Sequence, residues 1–134
     1  MITEYAIETR ENGATDITAQ VEEAVGKSGV TEGLCIVFIP HTTAGLSITS
    51  FWDPLGHEDI HDEIDRLIPT RIDFKHQWDT PQDASGHVKS VLVGVTLTLI
   101  ISKGKLLRGH SQGIYFHEFD GPRPRQFFVK CSHG

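Results

Sequence analysis

The chain has 134 residues, 38% of them hydrophobic and 22% charged, the balance of one folded domain rather than a disordered segment. Its formal charge of −6 and pI near 5.7 exclude the broad basic face that non-specific nucleic-acid binding needs. No run reaches the roughly 18 apolar residues of a membrane span, and Met1-Ile2-Thr3-Glu4-Tyr5 has no basic start of a secretory signal. The expectation is therefore a cytoplasmic protein with neither nucleic acid nor membrane as partner. Cys35 and Cys131 sit in apolar, strand-like runs and read as two buried, reduced thiols. The compositional oddity is eight histidines, where ordinary usage would give about three.

Residues 2–8 alternate and predict a first strand, followed by a turn at Glu11-Asn12-Gly13. Ile17, Val21, Ala24 and Val25 share one helical face, which Gly26 and Gly29 end. The apolar run Leu34-Cys35-Ile36-Val37-Phe38-Ile39 reads as a fully buried strand, and 46–49 as its neighbour. Asp53-Pro54 is a helix start, with an apolar stripe of Ile60, Ile64, Leu67 and Ile68 before Pro69. Residues 71–86 read as a polar surface loop, with a short helix at 87–92. A β-rich run over 93–102 turns at Lys103-Gly104 into a return strand at 105–108. Two further strands, 114–119 and 126–131, flank the turn Asp120-Gly121-Pro122-Arg123. Strands outnumber helices without alternating with them. The class is α+β, a single domain over 1–134 with a mostly antiparallel sheet and two to three helices.

Four stretches carry residues capable of chemistry. His57-Glu58-Asp59-Ile60-His61 matches H-E-x-x-H, the helical pair that binds zinc in metalloproteases. It must still find a third ligand, and chance matches are common among eight histidines, so a plain helix-edge pair is the preferred reading. His41 emerges at the end of a strand beside the hydroxyls of Thr42 and Thr43, which could position a ligand or a proton. His76 and His87 bracket the polar loop and could converge on one point, as metal ligands do. Arg123 and Arg125 form a pair suited to phosphate, set against the plainer reading of ion pairs with Glu118 or Asp120.

These motifs, with His41-Thr42-Thr43-Ala44-Gly45-Leu46-Ser47-Ile48 leading and Glu118 to Arg125 closing, occur in an order that resembles the YjbQ-like family from about Gly33 onward. The resemblance implies a YjbQ-like α+β fold assembling as a homotrimer. It also implies an enzyme acting on a phosphorylated small molecule, since some members have been assigned a thiamine-phosphate synthase activity that releases pyrophosphate. By position it places catalytic groups at His41, His76, His87 and Glu118. Ligand-binding groups fall at Thr42, Thr43, Ser47, Lys89, Gln112, Asp120, Arg123 and Arg125.

On this reading His41, His76 and His87 hold a divalent metal, zinc or magnesium, with no organic cofactor, and Arg123, Arg125 and Lys89 neutralise a phosphate. The chain departs from the family pattern at Thr49-Ser50, at Gly109-His110-Ser111-Gln112, at Val95, and at Asp83, where the family carries Asn. Thr49-Ser50 and His110-Ser111 favour an alternative, a non-catalytic ligand-binding or assembly module of the same fold with a degraded site.

Overall fold

The computed structural model describes residues 1–9 and 12–134. In chain order it has strands β1 (Ile2–Glu8) and β2 (Gly13–Asp16), helix α1 (Thr18–Ser28), and strands β3 (Glu32–Phe38) and β4 (Ala44–Ser50). Helices α2 (Pro54–Leu67) and α3 (Pro81–Val93) follow, then β5 (Thr96–Ser102), β6 (Lys105–Leu106), β7 (Gln112–Glu118) and β8 (Pro124–His133). The strands form two antiparallel sheets, β1-β8-β3-β5-β6 and β2-β7-β4. The expected α+β class with a mostly antiparallel sheet therefore holds. The turn expected at Glu11-Asn12-Gly13 begins outside the described residues.

One core joins both sheets to α1. Val21, Ala24 and Val25 of the helix meet Cys35 and Val37 of β3, Leu46 of β4, Phe116 of β7 and Phe127 and Val129 of β8. Each such side chain contributes about 1.5–3 kcal/mol by leaving water. Cys35 and Cys131 are both buried free thiols and face each other across β3 and β8, as the composition implied.

The helix ends follow local chemistry. The carboxylate of Asp53 accepts the Leu55 N–H at 2.9 Å, and Pro54 fills a first-turn position that needs no donor. The hairpin at Lys103-Gly104 forms as expected, with φ of 53° and 77°.

Two expectations change. β3 is not buried on both sides: Cys35 and Val37 point inward, while Leu34, Ile36 and Phe38 lie on an exposed face. The 71–86 stretch is not loop throughout, since α3 begins at Pro81. Thr80 caps it by accepting the Asp83 N–H at 3.1 Å. The signal was present, because Thr80-Pro81-Gln82-Asp83 places a hydroxyl cap, a first-turn proline and an acid three residues on.

Candidate functional site

Starting α3 at Pro81 decides the site. Asp83 stands in its first turn and His87 one turn later on the same side. Gly86 lets the helix close on the strand ends. A Cβ there would stand 3.1 Å from the Phe119 carbonyl oxygen and 3.3 Å from the Thr43 side chain, a tight contact that would push the neighbours by a few tenths of an ångström. His76, in the segment before α3, folds back so that its Nε2 lies 3.1 Å from Asp83 Oδ2. His87 Nε2 lies 3.1 Å from the same oxygen. Potential ligand atoms of His76, Asp83 and His87 all fall within 4.8 Å of one another.

The hydrogen-bond pattern gives this cluster its chemical character. His87 Nδ1 lies 3.1 Å from the Thr42 carbonyl oxygen, which can only accept, so Nδ1 carries the hydrogen. In neutral His87, Nε2 is then a bare lone pair facing a carboxylate oxygen. That arrangement is repulsive unless a cation or a proton stands between them. A ring N–H given to a backbone carbonyl also fixes the orientation of a metal-ligating histidine.

Burial alone would raise the Asp83 carboxyl, but hydrogen bonding from His76 and the neighbouring His87 outweigh it and hold it below the usual range. Asp120 shifts the other way, raised by burial and by the adjacent Asp83 despite its pairing with Arg123. The donor set of two imidazoles and a carboxylate fits zinc, with room for further ligands. Magnesium prefers an all-oxygen shell.

His41 does not join this set. Its Nε2 accepts the Gln126 backbone N–H at 2.8 Å, which ties the ring to β8 and leaves no free lone pair. Burial, followed by the nearby Arg125 charge, holds His41 below the ordinary imidazole value. Of the expected trio His41, His76 and His87, the structure brings His76 and His87 together, with Asp83 between them. The carboxylate counted as a departure from the family pattern is the centre of this cluster.

The other expected residues divide between structural and surface roles. Glu118 and Arg125 form a buried ion pair. Glu118 also takes the Thr9 hydroxyl at 2.6 Å and the Asp120 N–H at 3.0 Å, and Arg125 reaches Thr43 Oγ1 at 2.9 Å. Burial would raise the Glu118 carboxyl, yet these donors, Arg125 foremost, hold it low. Both residues, expected as a catalyst and a phosphate binder, meet each other and their neighbours inside the fold. Lys89 is 4% exposed, with its Nζ 2.5 Å from Asp65 Oδ1, so its charge is also spent internally.

Arg123 pairs with Asp120 through Nη2 at 2.8 Å but keeps a half-exposed side chain. Thr42 serves through its carbonyl and Thr43 through Arg125. Gln112 accepts from the Gly109 N–H at 2.7 Å at the far end of β7 from Glu118. That separation is about 20 Å of extended chain.

The H-E-x-x-H pair takes a different place. Both histidines of α2 turn toward the outer face of the β2-β7-β4 sheet. His57 packs on Tyr115 with ring centroids 4.2 Å apart, and His61 Nε2 lies 2.9 Å from Nδ1 of the buried His117. His117 Nε2 in turn lies 2.6 Å from Ser47 Oγ. A tetrahedral zinc ion with arms of about 2.0–2.1 Å would hold its nitrogens roughly 3.3 Å apart, so the His61–His117 spacing is that of a hydrogen bond. Among the described residues, the potential metal-ligand cluster is the one on α3.

Fold and site together define a small α+β protein of two antiparallel sheets with a His2Asp cluster at the start of its third helix, completed by His76 from the preceding segment. The family model described as UPF0047 protein YjbQ-like matches residues 3–134, and the chain belongs to that family. It is 41% identical over 131 residues to UPF0047 protein MJ1081 of Methanocaldococcus jannaschii, covering 97% of this chain and 93% of that one. With UPF0047 protein YugU of Bacillus subtilis it shares 36% over 124 residues, 91% of each chain.

A crystal structure of a YjbQ/UPF0047-family protein from Clostridium acetobutylicum superposes with a TM-score of 0.91 at 43% identity, over 97% of this chain and 99% of that one. A protein of unknown function from Sulfolobus solfataricus gives a TM-score of 0.95 at 29% identity, over 100% of this chain and 97% of that one.

Proposed function

We propose that this chain binds a divalent first-row cation, zinc by preference, through His76, Asp83 and His87, and acts there on a phosphorylated small molecule. The observation that carries the reading is the His87 ring, whose N–H is spent on the Thr42 carbonyl while its lone pair faces Asp83. A cation held there would supply Lewis acidity toward a phosphoryl or pyrophosphate oxygen. The chain's own part is to present two ligands on the first turns of α3 and a third, His76, from the segment before it, and to keep His87 in one tautomer. Arg123, half exposed beside Asp120, stands at the rim as the cationic group for an anionic substrate.

A thiamine-phosphate synthase-like transfer is the finer form of this reading and rests on the family resemblance. Titration calorimetry with zinc chloride tests the site: one ion per chain is expected for the native protein, and binding should be lost in His87→Ala. The rival, a binding module without turnover, is favoured by one observation. Lys89 and Arg125 are neutralised inside the fold, which leaves Arg123 as the site's exposed cation. Phosphate binding without turnover of any phosphorylated substrate would select it.

The proposal includes a homotrimer. Leu34, Ile36 and Phe38 of β3 and Ile100 of β5 form a contiguous apolar face, with Leu34 directly opposite Ile100 and Phe38 43% exposed. A patch of that kind marks an association surface. Sedimentation equilibrium should give three chains per particle, and Phe38→Asp should yield monomer. Among the described residues no helix is long and apolar enough to cross a membrane, and the two free buried thiols suit a reducing, cytoplasmic setting.

A further inference from the structure

We infer that Ser47, His117 and His61 form a second reactive centre, a nucleophilic serine with a two-histidine proton relay, that takes acyl groups from activated esters or thioesters. The centre is separate from the α3 cluster in residues and in chemistry. Ser47 Oγ lies 2.6 Å from His117 Nε2, and His117 Nδ1 lies 2.9 Å from His61 Nε2. Those are the three parts an activated nucleophile requires: hydroxyl, base, and a third group that orients the base. With His117 donating from Nδ1 to His61, its Nε2 is the lone pair that faces the serine proton.

The sheet fixes this order. Ser47 and Tyr115 are cross-strand partners on β4 and β7, and Gly45 is the partner of His117, so Ser47 and His117 lie diagonally on one face of the sheet. From above, α2 brings His57 and His61 down together because they stand one helical turn apart. His117 is 1% exposed, while Ser47 and His61 keep partial exposure at the two ends of the relay. His57 Nδ1, packed on Tyr115 beside Ser47, is a buried nitrogen with no hydrogen-bond partner among the described residues. It is a spare donor for a developing oxyanion.

The reaction balances with water as co-reactant. Ser47 Oγ bonds to the acyl carbon as the carbon–oxygen or carbon–sulfur bond to the leaving group breaks. The serine proton passes to His117 Nε2 and on to the departing alkoxide or thiolate. Water then hydrolyses the acyl-serine, with His117 again moving the proton. Burial, followed by the neighbouring His61 and His57, drives His117 down to about 3. Such a base is unprotonated near neutrality but weak, which suits good leaving groups. Phe119, 5.8 Å from His61 and 6.1 Å from His117 between ring centroids, and Tyr115 pack around the two imidazoles and keep the relay in an apolar setting.

The test uses a fluorophosphonate probe and intact-mass spectrometry, with p-nitrophenyl acetate for turnover. A single adduct mapped to Ser47 is expected, absent in Ser47→Ala and unchanged when a chelator is present, which separates this centre from the metal reading. Ester turnover should fall at least about 100-fold in His117→Gln, as for loss of a general base. Should that variant not fold, Ser47→Cys replaces it: its thiol should react with iodoacetamide well before the buried Cys35 and Cys131. No adduct on Ser47, or an equal adduct in Ser47→Ala, overturns the proposal.

Discussion

The two histidine clusters use the same side chain for opposite ends, and the difference lies in one carboxylate. On α3, His76 and His87 share Asp83 Oδ2, and His87 gives its N–H to a backbone carbonyl, so fixed negative charge and lone pairs converge. Under α2, His61 and His117 bond to each other and to Ser47, with no carboxylate hydrogen-bonded to either ring among the described residues. The first arrangement holds a cation; the second moves a proton. Imidazole is neutral to the choice, and its neighbours make it.

The largest effect expected concerns the floor beneath the surface cluster. Arg125→Ala leaves Glu118 as an uncompensated buried charge and should cost about 3–5 kcal/mol of stability by denaturant unfolding. It should also loosen Thr43, next to the carbonyl that orients His87. A loss near zero would mean that the pair is solvated and that this floor is not what fixes the cluster.

Next in size, His87→Ala should weaken zinc binding by at least about 100-fold, as removal of one of three protein ligands implies. The ligand-free protein should keep its melting temperature, because the His87 side chain is partly exposed. Asp83→Asn tests the same contrast from the other side. It should weaken zinc binding while leaving the Ser47–His117–His61 relay unaltered, read from fluorophosphonate labelling.

Acid sharpens the contrast further. Folded His117 stays neutral down to about pH 3, whereas in the unfolded chain imidazole takes its proton near 6.5. Below 6.5 the unfolded state therefore binds more protons, and stability falls as pH falls. The slope is about 1.4 kcal/mol per pH unit for this group until the folded value is reached. His61 and Glu118, both held low, act in the same direction. Melting curves from pH 7 to 4 should show this decline, and His117→Gln should flatten it.

The smallest effect is a deliberate null. Glu58 is exposed on α2, and Glu58→Gln should leave any native activity within a few-fold. A general base of a metalloprotease would cost about two to four orders of magnitude. A collapse of activity in that variant would move the metal chemistry from α3 to α2.

Local chemistry determined much of this protein. Alternation and apolar runs marked the strands other than β2 in outline, Asp53-Pro54 set the start of α2, and Lys103-Gly104 set a hairpin. The order of motifs from His41 to Arg125 carried the family. These features depend on neighbours a few residues apart, whose sterics and hydrogen bonds are written in the chain itself.

Tertiary structure decided the site. His41 read as a ligand because it ends a strand, yet the fold spends its lone pair on Gln126 of a strand 85 residues away. Asp83 read as a departure, yet a helix beginning six residues before His87 puts both on one side, where His76 completes the set. Arg125 and Lys89 read as phosphate binders, yet packing carried them inward, where each needed a carboxylate more than a ligand did. His117 became the centre of a relay only when β4, β7 and α2 closed around it. Which lone pairs remain free is settled by long-range contacts, and no periodicity along the chain encodes them.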